Sequence, residues 1–175
     1  MKLHIGCGKC YIPGWLNLDI SSLNKADLYC NAIAIPYPME SFDIIYASHV
    51  LEHFNRHTVR AVLTYWYSLL KRGGILRLSV PNFTAIVERY RSTGDLNELM
   101  GLLYGGQESL FNDHHIVFDK DSMAKFIGDA GFICYRDWDW KKTEHFMYDD
   151  YSQAYLPHMD KTFGLLMSLN IEAVK

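Results

Sequence analysis

Short apolar runs alternate with segments of helical period through the first half of the chain, the pattern of an α/β protein. Residues 3–5 read as a short buried strand that runs into Gly6-Cys7-Gly8. Residues 16–20 read as a second strand carrying Asp19, 27–30 as a third, and the β-branched run FDIIYA at 42–47 as a fourth. The period then changes. Val59, Val62, Leu63, Trp66, Leu69 and Leu70 recur at helical spacing, which predicts an amphipathic helix over 56–71 that Gly73-Gly74 stops. A fifth strand follows over 75–80. Asn82 is placed to cap a helix with Phe83, Ile86, Val87 and Tyr90 on its apolar face, and Gly94 breaks it. Asp95 is placed to cap another, with Leu96, Leu99, Met100 and Leu103 inward, up to Gly105-Gly106. After a polar loop through 112–115, Asp121 caps a helix with Met123, Phe126, Ile127 and Ala130 inward. Gly131 ends it, 132–135 starts a sixth strand, and 167–174 is a closing strand.

Residues 137–164 fit neither period. This stretch is dense in aromatic side chains, and a structureless segment of that length inside a compact domain is usually functional. It is read as an insertion or lid within a single domain spanning 1–175.

Composition narrows the function. The chain is 49% hydrophobic and 14% aromatic, which excludes a disordered polymer. Its formal net charge is −3, with Lys and Arg scattered, so a nucleic-acid partner is not expected. No run approaches the roughly 20 apolar residues of a membrane span, and MKLHIGCGKC leaves no room for a signal peptide. A cytoplasmic protein is expected. Cys7, Cys10, Cys30 and Cys134 suit a reducing compartment, and the single C-x-x-C reads as coincidence within a Gly-rich loop.

Three features then fall in order. A strand enters Gly6-x-Gly8, where absent side chains permit a tight turn and close approach of a ligand. The next strand ends in Asp19, as a carboxylate that accepts ribose hydroxyls would. The block SFDIIYASHVLEHF is followed by a helix and then by LLKRGGILRLSVPNF. With AGF at 130–132, these residues resemble the class I S-adenosylmethionine-dependent methyltransferases, in particular the small bacterial members of the methyltransferase-11 type, over residues 3 to about 135.

The resemblance implies a Rossmann-like, doubly wound seven-stranded sheet of order 3-2-1-4-5-7-6, its last strand antiparallel. It implies S-adenosylmethionine as cofactor, lying across the carboxyl ends of strands 1, 2 and 4. Carried over by position, Gly6, Cys7 and Gly8 line its methionine part, Asp19 holds the ribose, Asn31 stands near the adenine, and Ser48 and His49 border the methyl-bearing end. The sequence departs from the pattern at four places. His4 replaces an acidic residue, Cys10 a glycine, and Asn31 an aspartate. Only ten residues separate Gly8 from Asp19, so the first helix is expected to be very short or absent.

Methyl transfer to a hydroxyl or amine gains from a general base, and histidine suits neutral pH. His49, His114 and His115 are the candidates, with His53 beside them. His49, Glu52 and His53 form H-x-x-E-H, one face of a helix turn. Some methyltransferases bind a divalent ion through a related motif and a later histidine. L-E-H after strand 4 is nonetheless frequent in members that need none, with Glu52 and His53 tying down the helix start, so no metal is expected. The acceptor implied is a small molecule, with sugars suited to the aromatic and carboxylate-rich 137–164. That stretch equally suits a homodimer interface. The competing reading is a catalytically inactive partner or binding subunit with this fold, motivated by the altered Gly-rich loop.

Overall fold

The computed structural model describes residues 1–108 and 111–175; Ser109 and Leu110 lie outside the described residues. The described residues form nine strands: β1 (Lys2–Ile5), β2 (Leu16–Asp19), β3 (Leu28–Tyr29), β4 (Phe42–Ser48), β5 (Leu70–Pro81), β6 (Cys134–Asp137), β7 (Tyr155–Leu156), β8 (Leu165–Leu166) and β9 (Ser168–Val174). Seven of them make one sheet of order β3-β2-β1-β4-β5-β9-β6. The first five run parallel, and β9 is antiparallel to both β5 and β6. This is the class I methyltransferase arrangement expected from sequence. The strand order reverses on the two sides of β1, which puts the carboxyl ends of β1, β2 and β4 at the topological switch point, where α/β sheets bind ligands.

Side-chain alternation gives the sheet two unlike faces. Leu3, Ile45, Leu76 and Ala173 are register neighbours across four strands, as are Ile5, Ala47, Leu78 and Ile171. They pack with Val59, Val62, Leu63, Trp66 and Leu69 of α1 (Val59–Leu69) and with Met123 and Ile127 of the last helix, Lys120–Asp129. Each buried Leu, Ile, Val or Met side chain of this layer contributes about 1.5–3 kcal/mol.

The opposite face is polar. His4, Tyr46, Arg77 and Glu172 are register neighbours in one row across β1, β4, β5 and β9. Residues 137–164 cover this row. Trp138 donates its indole N–H to the Leu78 carbonyl at 2.9 Å, and Tyr46 donates its hydroxyl to Asp150 at 2.6 Å. Arg77 pairs with Glu172 at 2.6 Å and with Glu144 at 3.0 Å. His4, in place of the acidic residue of the family pattern, stacks on Tyr46 and reaches the Asn17 side chain.

Several sequence-derived boundaries shift. α1 starts at Val59, because the Asn55 side chain and carbonyl hold a separate turn through Thr58. It ends at Leu69, before the Gly-Gly pair, because Leu70 turns extended and pairs with Phe42. Asn82 caps α2 (Phe83–Thr93) as expected, yet Ala85 and Ile86 face inward while Phe83 and Tyr90 are exposed. The segment after Asp95 is a 3-10 turn and the short α3 (Met100–Tyr104) rather than one helix, with Leu99 buried and Leu96 and Met100 exposed. The cap of α4 (Lys120–Asp129) is Asp119, not Asp121: its carboxylate takes the Ser122 N–H while Ser122 Oγ takes the Asp119 N–H, a reciprocal capping box. As expected, residues 6–15 form turns in place of a first helix.

Candidate active site

The loop after β1 is held by backbone geometry. Gly6 sits at φ +65° and Gly8 at φ +52°, left-handed conformations that disfavour a side chain. The Cys7 N–H donates to the Leu18 carbonyl at 2.9 Å, and the Gly8 N–H donates to Asp19 Oδ2 at 2.7 Å. Asp19 Oδ1 accepts the Ser21 N–H at 2.8 Å. The Asp19 carboxylate is therefore a structural brace for both loops flanking it, a duty that nothing in its spacing announced. Burial pushes the Cys7 thiol up to about 12 and the Cys10 thiol up to about 11, so both stay protonated.

Asn31 is exposed after β3 and accepts the Ile33 N–H at 3.1 Å, as a turn-forming Asx residue does. Ser48 ends β4. Its hydroxyl is buried with no hydrogen-bond partner among the described residues, and the same holds for Ser79, its register neighbour on β5.

His49 follows at φ +52°. Its Nε2 lies 3.0 Å from Ser168 Oγ, and Ser168 donates its own proton to the Tyr151 carbonyl at 2.5 Å. The serine oxygen is thus an acceptor, so His49 carries its proton on Nε2 and presents a bare Nδ1. That Nδ1 stands 3.2 Å from Glu52 Oε1. Burial, reinforced by the neighbouring His114 and His53, drives His49 down to about 3. Burial lifts the Glu52 carboxyl to about 8.

The structure brings His49, Glu52, His53 and His114 together, while His115 stands exposed beside them and donates its backbone N–H to the Glu52 carbonyl at 2.8 Å. Burial lowers His53 and His114 as well. Tyr151 of the aromatic segment lies over His49, ring centroids 5.2 Å apart. Ser168 and Tyr151 had no sequence signal for this place: they reach the end of β4 only because β9 threads back beside β5.

Residues 3–78 match the methyltransferase domain family. Among curated proteins, none matches this sequence. Solved structures share the fold along the whole chain. A SAM-dependent methyltransferase from Thermotoga maritima superposes with a TM-score of 0.63 at 14% identity, covering 99% of this chain and 81% of that one. One from Archaeoglobus fulgidus gives 0.61 at 16% identity, covering 99% and 85%. One from Methanosarcina mazei gives 0.60 at 18%, covering 99% and 91%. No helix among the described residues is long and apolar enough to cross a membrane.

Proposed function

We propose that this chain, which matches a methyltransferase domain family over residues 3–78 and shares the fold of S-adenosylmethionine-dependent methyltransferases, is an enzyme that methylates a small-molecule acceptor, sugars included. The observation that carries this reading is the Gly8 N–H to Asp19 hydrogen bond at the switch point, which joins the glycine turn and the acidic strand end into one unit. The residues present fit the cofactor. The space where a Gly8 Cβ would sit is open to 4 Å, leaving bare backbone for the methionine part to approach. Asp19 Oδ1 accepts only the Ser21 N–H and keeps a lone pair for a ribose hydroxyl, while Oδ2 takes both the Gly8 N–H and the Cys7 thiol. The unpartnered Ser48 hydroxyl supports a polar contact at the same edge.

In this reading Gly6, Cys7 and Gly8 receive the methionine part, Asp19 the ribose and Asn31 the adenine side, and Ser48 and His49 border the methyl-bearing end. When bound, the cofactor supplies a methyl group already activated on a sulfonium. What the chain adds is alignment and exclusion of water. His49 and His114 are half-buried with lowered proton affinity and serve as the wall of the site. The exposed His115 is the histidine open to an acceptor, and it is assigned the general-base role. Tyr151 and the stretch 137–164 around it serve as the lid.

Calorimetric titration with S-adenosylmethionine and S-adenosylhomocysteine tests the reading. Micromolar binding is expected. Asp19→Asn, with its melting curve as a folding control, is expected to weaken it at least tenfold, since about 1.4 kcal/mol is one decade and a charged acceptor is lost. His115→Ala is expected to leave cofactor binding intact and to slow methyl transfer to any acceptor found. Absence of binding at millimolar ligand overturns the enzyme reading in favour of a partner subunit that retains only the fold.

A further inference from the structure

Glu52 is wholly buried in the 3-10 turn Leu51–His53, and neither carboxylate oxygen makes a hydrogen bond among the described residues. A buried carboxyl group left this way is costly unless something pairs with it. Its neighbours are imidazoles rather than cationic side chains. His49 Nδ1 lies 3.2 Å from Oε1 and His114 Nε2 lies 4.0 Å from it. The rings of His53 and His114 are 5.0 Å apart.

Hydrogen bonds on the far side of two of these rings fix where their protons are. His53 Nδ1 is 3.0 Å from the Asp113 carbonyl, and His114 Nδ1 is 3.0 Å from the Leu102 carbonyl. A carbonyl only accepts, so each ring carries its proton on Nδ1 and turns a bare Nε2 inward. Histidines bound to a metal are held in this way, by an outward N–H to a carbonyl or carboxylate. One ligand atom from each of Glu52, His53 and His114 lies within 4.8 Å of the others.

We infer that Glu52, His53 and His114 form a binding site for one divalent transition-metal ion of the zinc class, which fastens the segment 112–115 to the end of β4. Two imidazoles and a carboxylate suit zinc or cobalt, whereas magnesium and calcium take oxygen ligands. Bonds of about 2.0–2.2 Å in tetrahedral geometry set ligand atoms roughly 3.4 Å apart, so the three side chains close inward by modest rotations. His49 stays on the far side of Glu52, with Nε2 on Ser168. The fourth position is left to solvent. The inference does not depend on methyl transfer, and its test uses neither methyl donor nor acceptor.

The full-length protein is stripped with a chelator, then titrated with Zn²⁺ by calorimetry and with Co²⁺ by visible absorption. Expected are one ion per chain, the intense visible bands of four-coordinate Co²⁺, and a higher melting temperature with Zn²⁺ than without. Glu52→Gln and His114→Gln are each expected to lower affinity at least about 100-fold, the upper end of what loss of an outer-shell partner costs, while His158→Ala, exposed in 137–164, leaves it unchanged. If Glu52→Gln does not fold, His114→Gln alone carries the comparison, judged against the melting curve of stripped wild type. A weak, octahedral-type Co²⁺ spectrum, or an affinity indifferent to these substitutions, overturns the inference. So does a protein that takes up no ion; the cluster is then a set of neutral groups sharing protons.

Discussion

At Gly6 two constraints coincide: the backbone lies at φ +65°, and a Cβ there would fall 2.4 Å from Val50 Cγ2. Gly6→Ala is expected to destabilise the protein by about 1–3 kcal/mol, from left-handed strain plus that contact. Urea unfolding reads this, and a second substitution, Val50→Ala, should return only the contact part. Gly8 differs, since its φ of +52° carries the strain but a Cβ meets nothing within 4 Å. Gly8→Ala is expected to cost about 1 kcal/mol of stability. Its methyl group projects into the space assigned to the cofactor, so cofactor affinity, measured by calorimetry, should fall by more than the stability does. A Gly8→Ala protein that binds S-adenosylmethionine as wild type does would place the cofactor elsewhere. The sequence marked both glycines by their spacing alone; the close approach of Val50, from the loop after β4, belongs to the folded chain.

Among the elements, those with a clear period were legible. α1 shows its stripe, and β1, β2 and β4 show short apolar runs, so their succession along the chain and the missing first helix were legible in pattern and spacing, while the strand order in the sheet came from the family resemblance. Cap positions were less so: the sequence pointed to Asp121, but the Ser122 hydroxyl accepts the Asp119 N–H and so places the cap at Asp119. The layer formed by 137–164 was opaque because its contacts are single side chains reaching far back in the chain, Trp138 to β5 and Asp150 to Tyr46 on β4. Of the site, the histidines were named in sequence, but their convergence on Glu52 requires the loop at 112–115 to fold back to β4. The polar row beneath the aromatic layer gives an element-scale prediction. Arg77 and Glu172 are both buried, and Arg77 also holds Glu144. Arg77→Met is expected to cost about 2–3 kcal/mol in urea unfolding, because it leaves the buried Glu172 Oε1 unpaired and frees Glu144, while Arg136 still holds Glu172 Oε2. Arg77→Met combined with Glu172→Met should cost less than Arg77→Met alone. A double variant as unstable as the sum of the two single ones would show that the pair is not coupled.

For the whole molecule, the aromatic layer makes stability depend on pH. His145 is buried between Tyr46, Trp15 and Trp138, with ring centroids 4.4, 5.5 and 6.0 Å away. Its Nδ1 faces Arg77 Nη1 at 3.3 Å, and since the guanidinium only donates, the ring proton sits on Nε2. Burial, with the Arg77 charge beside it, pulls its pKa from 6.5 down to about 4. The folded protein therefore keeps this ring neutral between pH 6.5 and about 4, where the unfolded chain takes up a proton. Unfolded chains bind more protons in that window, so stability is full above about pH 6.5 and is lost as pH falls toward 4. The loss attributable to this residue is on the order of 2–3 kcal/mol. His4, His53 and His114, all lowered by burial, and His49, lowered to about 3, act in the same direction, and Glu52, raised to about 8, acts against them. Comparison with His145→Phe cancels these contributions and isolates the ring. Urea unfolding at pH 7.5, 6 and 5 should give a shallower decline for His145→Phe than for wild type. Parallel declines would mean that the layer over β4 and β5 opens to let the imidazolium reach water while the sheet stays folded, and hydrogen exchange of the Trp138 indole N–H, which is bonded to the Leu78 carbonyl, would then quicken over the same pH range.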